Sequence, residues 1–158
     1  MDHFGSFGIE VGKKRFYEEA VYGVALVYAA LYNEISAYLD RYGLSPAKMN
    51  ALMIIKHQGK DTGISQIAIG KRLMVTASNM TRLIDNLEKD GLIERCAHRQ
   101  DRRVNVIRIT QKGAKLMDDI WPGYQQIIKN LAGTVPAADQ KHISRLLRRW
   151  FEQMKDRG

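Results

Sequence analysis

Between residues 64 and 110 the chain carries two short helical patterns joined by a tight turn, then a strand, a polar loop and a second strand. The first pattern opens on Ser65 as N-cap and turns Ile69 and Leu73 inward. The second opens on Thr76. Met80, Leu83, Ile84 and Leu87 follow it at the i, i+3, i+4, i+7 spacing of one buried helix face, and Gly91 supplies the left-handed residue that ends it. Residues 92–97 and 104–109 are short and rich in branched side chains, with a charged loop between them, so they predict a hairpin. This order of elements constrains the region to a helix-turn-helix followed by a β-hairpin wing.

The flanks are helical. From residue 14 to about residue 40, Phe16, Tyr17, Ala20, Val21, Val24, Tyr28, Leu31, Ile35, Tyr38 and Leu39 recur at spacings of three and four. Ser45-Pro46, an N-cap with Pro at the first helical position, starts a second helix that runs to about His57 with Met49, Leu52 and Ile55 inside. Thr110 or a neighbour caps a helix carrying Leu116, Ile120, Tyr124, Ile127, Ile128 and Leu131, in which Pro122 is expected to force a kink or a restart. A last helix from about Ala137 carries Ile143, Leu146, Leu147, Trp150, Phe151 and Met154. The terminal helices have more apolar surface than a small winged helix covers, so they are expected to pack on each other and on a second copy in a two-fold dimer. The fold class is mainly α with a small β-hairpin, a winged helix-turn-helix flanked by N- and C-terminal dimerisation helices. The expected division is an arm and helix over 1–43, a winged helix-turn-helix over 44–110 and C-terminal helices over 111–158, in one compact protomer.

Charge says what such a wing meets. The net charge is +8, of which residues 91–115 hold +5: Arg95, Arg99, Arg102, Arg103, Arg108, Lys112 and Lys115 against Glu94 and Asp101. A cationic cluster of this kind invites a polyanion. Burying Met80, Leu83, Ile84 and Leu87 leaves Ser78, Asn79, Arg82 and Asn86 along the outer face of that helix. Arg forks onto the O6 and N7 of guanine, and Asn pairs with adenine in the same way. Thr76, Ser78 and Thr81 are hydroxyl donors suited to phosphates or base edges near a helix N-terminus, where the dipole favours an anion. In the loop, Asp101 pairing with a neighbouring arginine would hold that side chain extended toward a narrow minor groove. Arg99, Arg102 and Arg103 complete the candidate double-stranded DNA interface.

At Leu73, Val75, Thr76, Ser78, Thr81-Arg82-Leu83-Ile84, Leu87-Glu88, Gly91-Leu92-Ile93, Arg95, Asp101-Arg102-Arg103, Ile109-Thr110 and Gly113 the chain resembles the MarR (multiple antibiotic resistance regulator) transcription factors. The likeness extends to the long first and last helices around a central winged helix-turn-helix. It implies a homodimer on a pseudo-palindromic operator, usually a repressor released by a small phenolic or other aromatic ligand or by oxidation. It also implies base reading by residues 76–86, minor-groove insertion of Arg103 and partnership of Arg103 with Asp101. Two residues depart from the pattern: Met74 stands at a turn position where Gly is frequent, and Gly70 where Ala is usual.

The other candidates are weaker. In the resembled family the effector pocket lies between the dimerisation helices and the winged lobe, and Tyr28, Tyr32, His57 and Tyr124 are the groups expected there. Redox-sensing members use a cysteine in the first helix, where this chain has none; Cys96, in the first wing strand, is read as a small buried residue. A single cysteine excludes an intramolecular disulfide and fits a reducing compartment. His3, His57, His98 and His142 show no ligand spacing, so no metal and no cofactor is expected. No nucleophile–base set or phosphate-binding glycine loop is present, and an enzyme is not expected. The Gly-rich N-terminus is predicted loose and has no leader pattern. No apolar run is expected to reach the roughly 20 residues that cross a bilayer. The chain is therefore read as a cytoplasmic protein without membrane contact. A winged-helix module that binds protein or RNA without reading an operator is the competing expectation.

Overall fold

The computed structural model describes residues 3–12, 15–60, 62–97 and 105–155. The backbone forms two compact units, Met1–Pro122 and Gly123–Gly158. The first joins the arm, the first helix, the winged helix and the start of the next helix in one body. The boundary between the two units falls inside the 111–158 segment.

The first helix, α1, spans Phe16–Leu39 and passes through a 3-10 turn, Asp40–Tyr42, to Gly43 in the left-handed region. Ser45 caps α2 (Pro46–Ile54) by accepting the Lys48 N–H at 3.3 Å. A π-helical turn over Ile55–Gly59 then carries the chain to Lys60. Ser65 and Thr76 cap α3 (Gln66–Leu73) and α4 (Ala77–Lys89) in the same way, accepting from Ala68 and Asn79. Short polar side chains at these positions satisfy amides that the first helical turn leaves without partners. Leu39, Met49, Leu52, Ile55, Ile69, Met80, Ile84, Leu87, Met117 and Ile120 form the dry core of this unit.

The wing strands, β1 (Ile93–Ala97) and β2 (Asn105–Ile109), pair antiparallel with Ile93 opposite Ile109 and Arg95 opposite Ile107. Ile64 adds a one-residue bridge to Ile107, so the loop before α3 is fastened to the wing. The next helix, α5 (Gln111–Ala132), starts where the Thr110 hydroxyl accepts the Gly113 N–H at 3.0 Å and donates to the Gly91 carbonyl at 2.8 Å. It runs unbroken through Pro122 instead of restarting there. Ahead of that proline, the Tyr38 hydroxyl on α1 donates to the Ile120 carbonyl at 2.8 Å. In the second unit, the tail of α5 and α6 (Ala137–Lys155) are joined by a turn that Gln140 closes by donating to the Ala132 and Val135 carbonyls.

Two expectations are corrected. The N-terminal arm is ordered over its described residues: Ile9 is buried, Phe7 lies against the Tyr22 ring with centroids 5.4 Å apart, and the Gly12 N–H bonds Glu19 at 3.0 Å. The glycines give it turns, at Gly8 and Gly12, and the apolar residues between them anchor it. Second, Phe16–Tyr42 is by length and composition apolar enough to cross a membrane, with a mean hydropathy of 1.2. The charge-free run over 20–33 raises that value, and none of the window is buried within the chain. Phe16, Tyr17, Val21, Val24, Val27 and Tyr28 stand exposed along α1, and Ile143, Leu146, Leu147, Phe151 and Met154 along α6.

Candidate nucleic-acid interface

α4 separates its faces as the spacing requires. Met80, Ile84 and Leu87 are buried and Leu83 is half-buried, while Ser78, Asn79, Arg82 and Asn86 are exposed. Among the described residues Arg82 makes no ion pair or hydrogen bond, so its fork of donors is available. The Thr76 oxygen is occupied by the Asn79 N–H, which leaves its proton free to donate. Thr81 differs. Its hydroxyl proton goes to the Ala77 carbonyl at 3.1 Å, and its oxygen accepts from Gln66 Nε2 at 2.9 Å. The exposed Thr81 hydroxyl therefore has no donor left for a phosphate. Arg99, Asp101, Arg102 and Arg103 lie outside the described residues, as does His98.

The positive charge counted over 91–115 is not all available to a ligand. Lys112 Nζ donates to the Asp90 carbonyl at 2.6 Å at the end of α4, and Nε and Nη2 of the half-buried Arg108 are shielded from solvent. Arg95 is the most committed. From β1 it reaches back to α4, where Nη2 bonds the Asp85 carboxylate, Nη1 bonds the Glu88 carboxylate, and its backbone N–H donates to Glu88 at 3.2 Å. The hydrogen bond to Asp85, reinforced by the Glu88 charge, raises its pKa above the ordinary arginine value. These groups are between a third and just over a half exposed, so each pair is worth at most about 1 kcal/mol to the fold. By charge count alone Arg95 belongs to the wing cluster. Two acids three residues apart on α4 and a strand arginine after the glycine turn were the signal for this clamp.

Of the four residues expected at an effector site, Tyr28 and Tyr32 lie against each other on the exposed side of α1, rings tilted at 46° with centroids 5.9 Å apart. His57 is exposed on the π-helical turn, edge-on to Trp121 at 6.4 Å. Tyr124 belongs to the second unit, where burial pushes its phenol up. None of the four lines the groove of about 490 Å³ between α3 and the start of α4, whose walls are Ile67, Gly70, Lys71, Met74 and Val75 with Gln66 at one side. Both departures from the family pattern border this groove. Gly70 contributes no side chain, and Met74 sits at φ 54°, the left-handed turn that caps α3.

Cys96 is half-buried in β1. Desolvation pushes its thiol up, and Glu94 adds to the shift, opposite to what a reactive thiolate requires.

Comparison with known proteins agrees with this geometry. Residues 42–104 match the MarR family model. The HTH-type transcriptional regulator MhqR of Bacillus subtilis is 27% identical over 122 residues, covering 77% of this chain and 82% of that protein. Among solved structures, a mutant MarR from Escherichia coli complexed with operator DNA superposes with a TM-score of 0.74 at 21% identity, over 87% of this chain and 98% of that one. CouR from Rhodococcus jostii, bound to p-coumaroyl-CoA, gives 0.75 at 20% identity over 86% and 94%. At such identities the two structures speak for a shared fold. A winged helix-turn-helix whose reading face is exposed, with the family's own model matched across that module, makes the chain similar to the MarR family of DNA-binding transcriptional regulators.

Proposed function

We propose that the protein acts as a cytoplasmic homodimer that binds a pseudo-palindromic operator, represses by occupying it, and is released by a small aromatic effector. One observation carries the DNA reading: α4 buries Met80, Ile84 and Leu87 and leaves Ser78, Asn79, Arg82 and Asn86 open to solvent as a set. In this reading α4 enters the major groove, with Arg82 on guanine and Asn79 and Asn86 on adenine. The wing loop, with Arg103 foremost and Asp101 its partner, enters the adjacent minor groove, flanked by Arg99 and Arg102. The apolar side chains exposed on α1 and α6 support the dimer, because a monomer in water rarely leaves so much apolar surface uncovered. Two-fold docking places the half-sites about one helical turn apart, roughly 10 bp. The reading assigns no bond chemistry to any of these groups.

Release requires an effector that binds the free and DNA-bound states with different affinity. CouR, whose crystal holds the aromatic thioester p-coumaroyl-CoA, supports an aromatic ligand of this class. Tyr28, Tyr32, His57 and Tyr124 remain the proposed contacts.

Footprinting of the chain's own promoter region tests the reading. A discrete, two-fold protected site is expected. Equal binding to random duplex at every salt concentration would instead favour a module that binds protein or RNA. Arg103→Ala should weaken binding mainly at A/T-rich flanks, and an Arg103→Ala protein that binds like wild type removes the wing from the mechanism.

A further inference from the structure

The reading face of α4 contains an acid that has no place there. At 100° per residue, Asp85 lies about 60° around the helix from Arg82 and about 20° from Ser78, so it shares their face. Residues three apart on a helix are neighbours, and an Asp beside an Arg at that spacing pairs with it. A free Asp85 would thus occupy the Arg82 fork that has to reach a base edge, and it would also repel phosphates. In the structure Asp85 is instead held by Arg95 from β1, together with Glu88 one turn further along, and Arg82 stays unpaired among the described residues.

We propose that Arg95 is a positioning residue for operator readout: by drawing Asp85 and Glu88 toward the wing it keeps Arg82 free to read its base pair. The inference rests on the DNA reading above. It gives Arg95 no contact with DNA, because both of its terminal guanidinium nitrogens are turned onto carboxylates of α4. The arrangement also explains why a wing arginine faces backward onto a helix when every neighbouring cation would serve better facing outward. Exposed ion pairs of this kind add little to folding, so a role in stability does not account for a clamp made of three hydrogen bonds.

The test uses full-length protein and a duplex carrying the footprinted site, alongside duplexes changed at the one base pair where Arg82→Ala loses discrimination. Arg95→Gln should reduce discrimination at that pair to within about threefold of the Arg82→Ala level, and adding Arg82→Ala to Arg95→Gln should remove nothing more there. Removing the freed acids with Asp85→Asn and Glu88→Gln in the Arg95→Gln background should return discrimination to wild type. A merely structural role would lower the active fraction and leave the ratio of affinities between the two duplexes unchanged. Full discrimination in Arg95→Gln, or no recovery in the triple variant, overturns the proposal. Should Arg95→Gln fail to fold, Asp85→Asn with Glu88→Gln in the native background decides: wild-type discrimination supports sequestration, and its loss refutes it. If the native protein itself yields no protected site, the DNA reading fails and not this refinement of it.

Discussion

Replacing Gly113 by alanine should destabilise the protein although the position is helical, where alanine normally gains about 1 kcal/mol over glycine. A Cβ at Gly113 would lie 2.1 Å from the Leu92 carbonyl oxygen and 3.0 Å from Ile109 Cγ1. Ordinary contacts begin at 3.4 Å, so the first turn of α5 and the residue before β1 must separate by about 1.3 Å. Both atoms in the worst clash are tied to backbone and cannot swing aside. The same Leu92 carbonyl accepts the Thr110 N–H at 3.1 Å, and Thr110 in turn bonds Gly91 and Gly113, so separation strains this whole junction. Overpacking costs about 1–3 kcal/mol, and loosening two of these hydrogen bonds adds about 2 kcal/mol. Against the propensity gain, the net is a loss of about 2–4 kcal/mol, a large share of a stability of roughly 5–15 kcal/mol. Far-UV circular dichroism at a fixed protomer concentration should show the melting midpoint about 10 °C lower. Gly70→Ala is the matched control. Its Cβ would sit 3.7 Å from Met80 Cγ, an ordinary contact, so propensity prevails and the midpoint should rise by about 3 °C. A Gly113→Ala protein that melts at or above wild type would refute the packing argument, as would equal shifts for the two variants.

Arg82→Ala should cost about 1–3 kcal/mol of operator binding and relax preference at one base pair per half-site in a competition assay; uniform weakening on all duplexes would place Arg82 on phosphate instead. Sedimentation equilibrium should return a dimer, and Val24→Asp with Tyr28→Asp on α1 should raise its dissociation constant at least about tenfold, about 1.4 kcal/mol; an unchanged dimer would take this face out of the interface. The Cys96 thiol, pushed up by burial and Glu94, stays protonated to higher pH in the folded chain than in the unfolded one. Its stabilising contribution is therefore present below the unfolded pKa and lost as pH rises through the folded one. Alkylation near pH 8 should lag the denatured protein, with the gap closing as pH rises, and equal rates at pH 8 would contradict the burial.

Much of the fold was legible because it is encoded locally. Ser45, Ser65 and Thr76 cap the helices they were expected to cap, since the cap is a bond between a side chain and an amide three residues on. The buried side of α4 follows from the 3.6-residue period, and its reading face is the remainder. The strands of the wing fall within one residue of the branched runs that predicted them.

What was not legible depends on partners remote in sequence. Thr81 reads as a free donor until Gln66, fifteen residues away, and the Ala77 carbonyl are seen to take both sides of its hydroxyl. Arg95 reads as one more positive charge until β1 folds back on α4 and delivers it to Asp85 and Glu88. The arm reads as loose from its glycines, and its anchoring on α1 rests on side chains whose meeting requires the turns those glycines permit. Periodicity and capping are properties of a few neighbouring residues, so the 64–110 stretch announces a winged helix unaided. Which of its charges face a ligand is a property of distances across the chain, and there the fold turns a count of cations into a smaller exposed set with one arginine held back to keep another free.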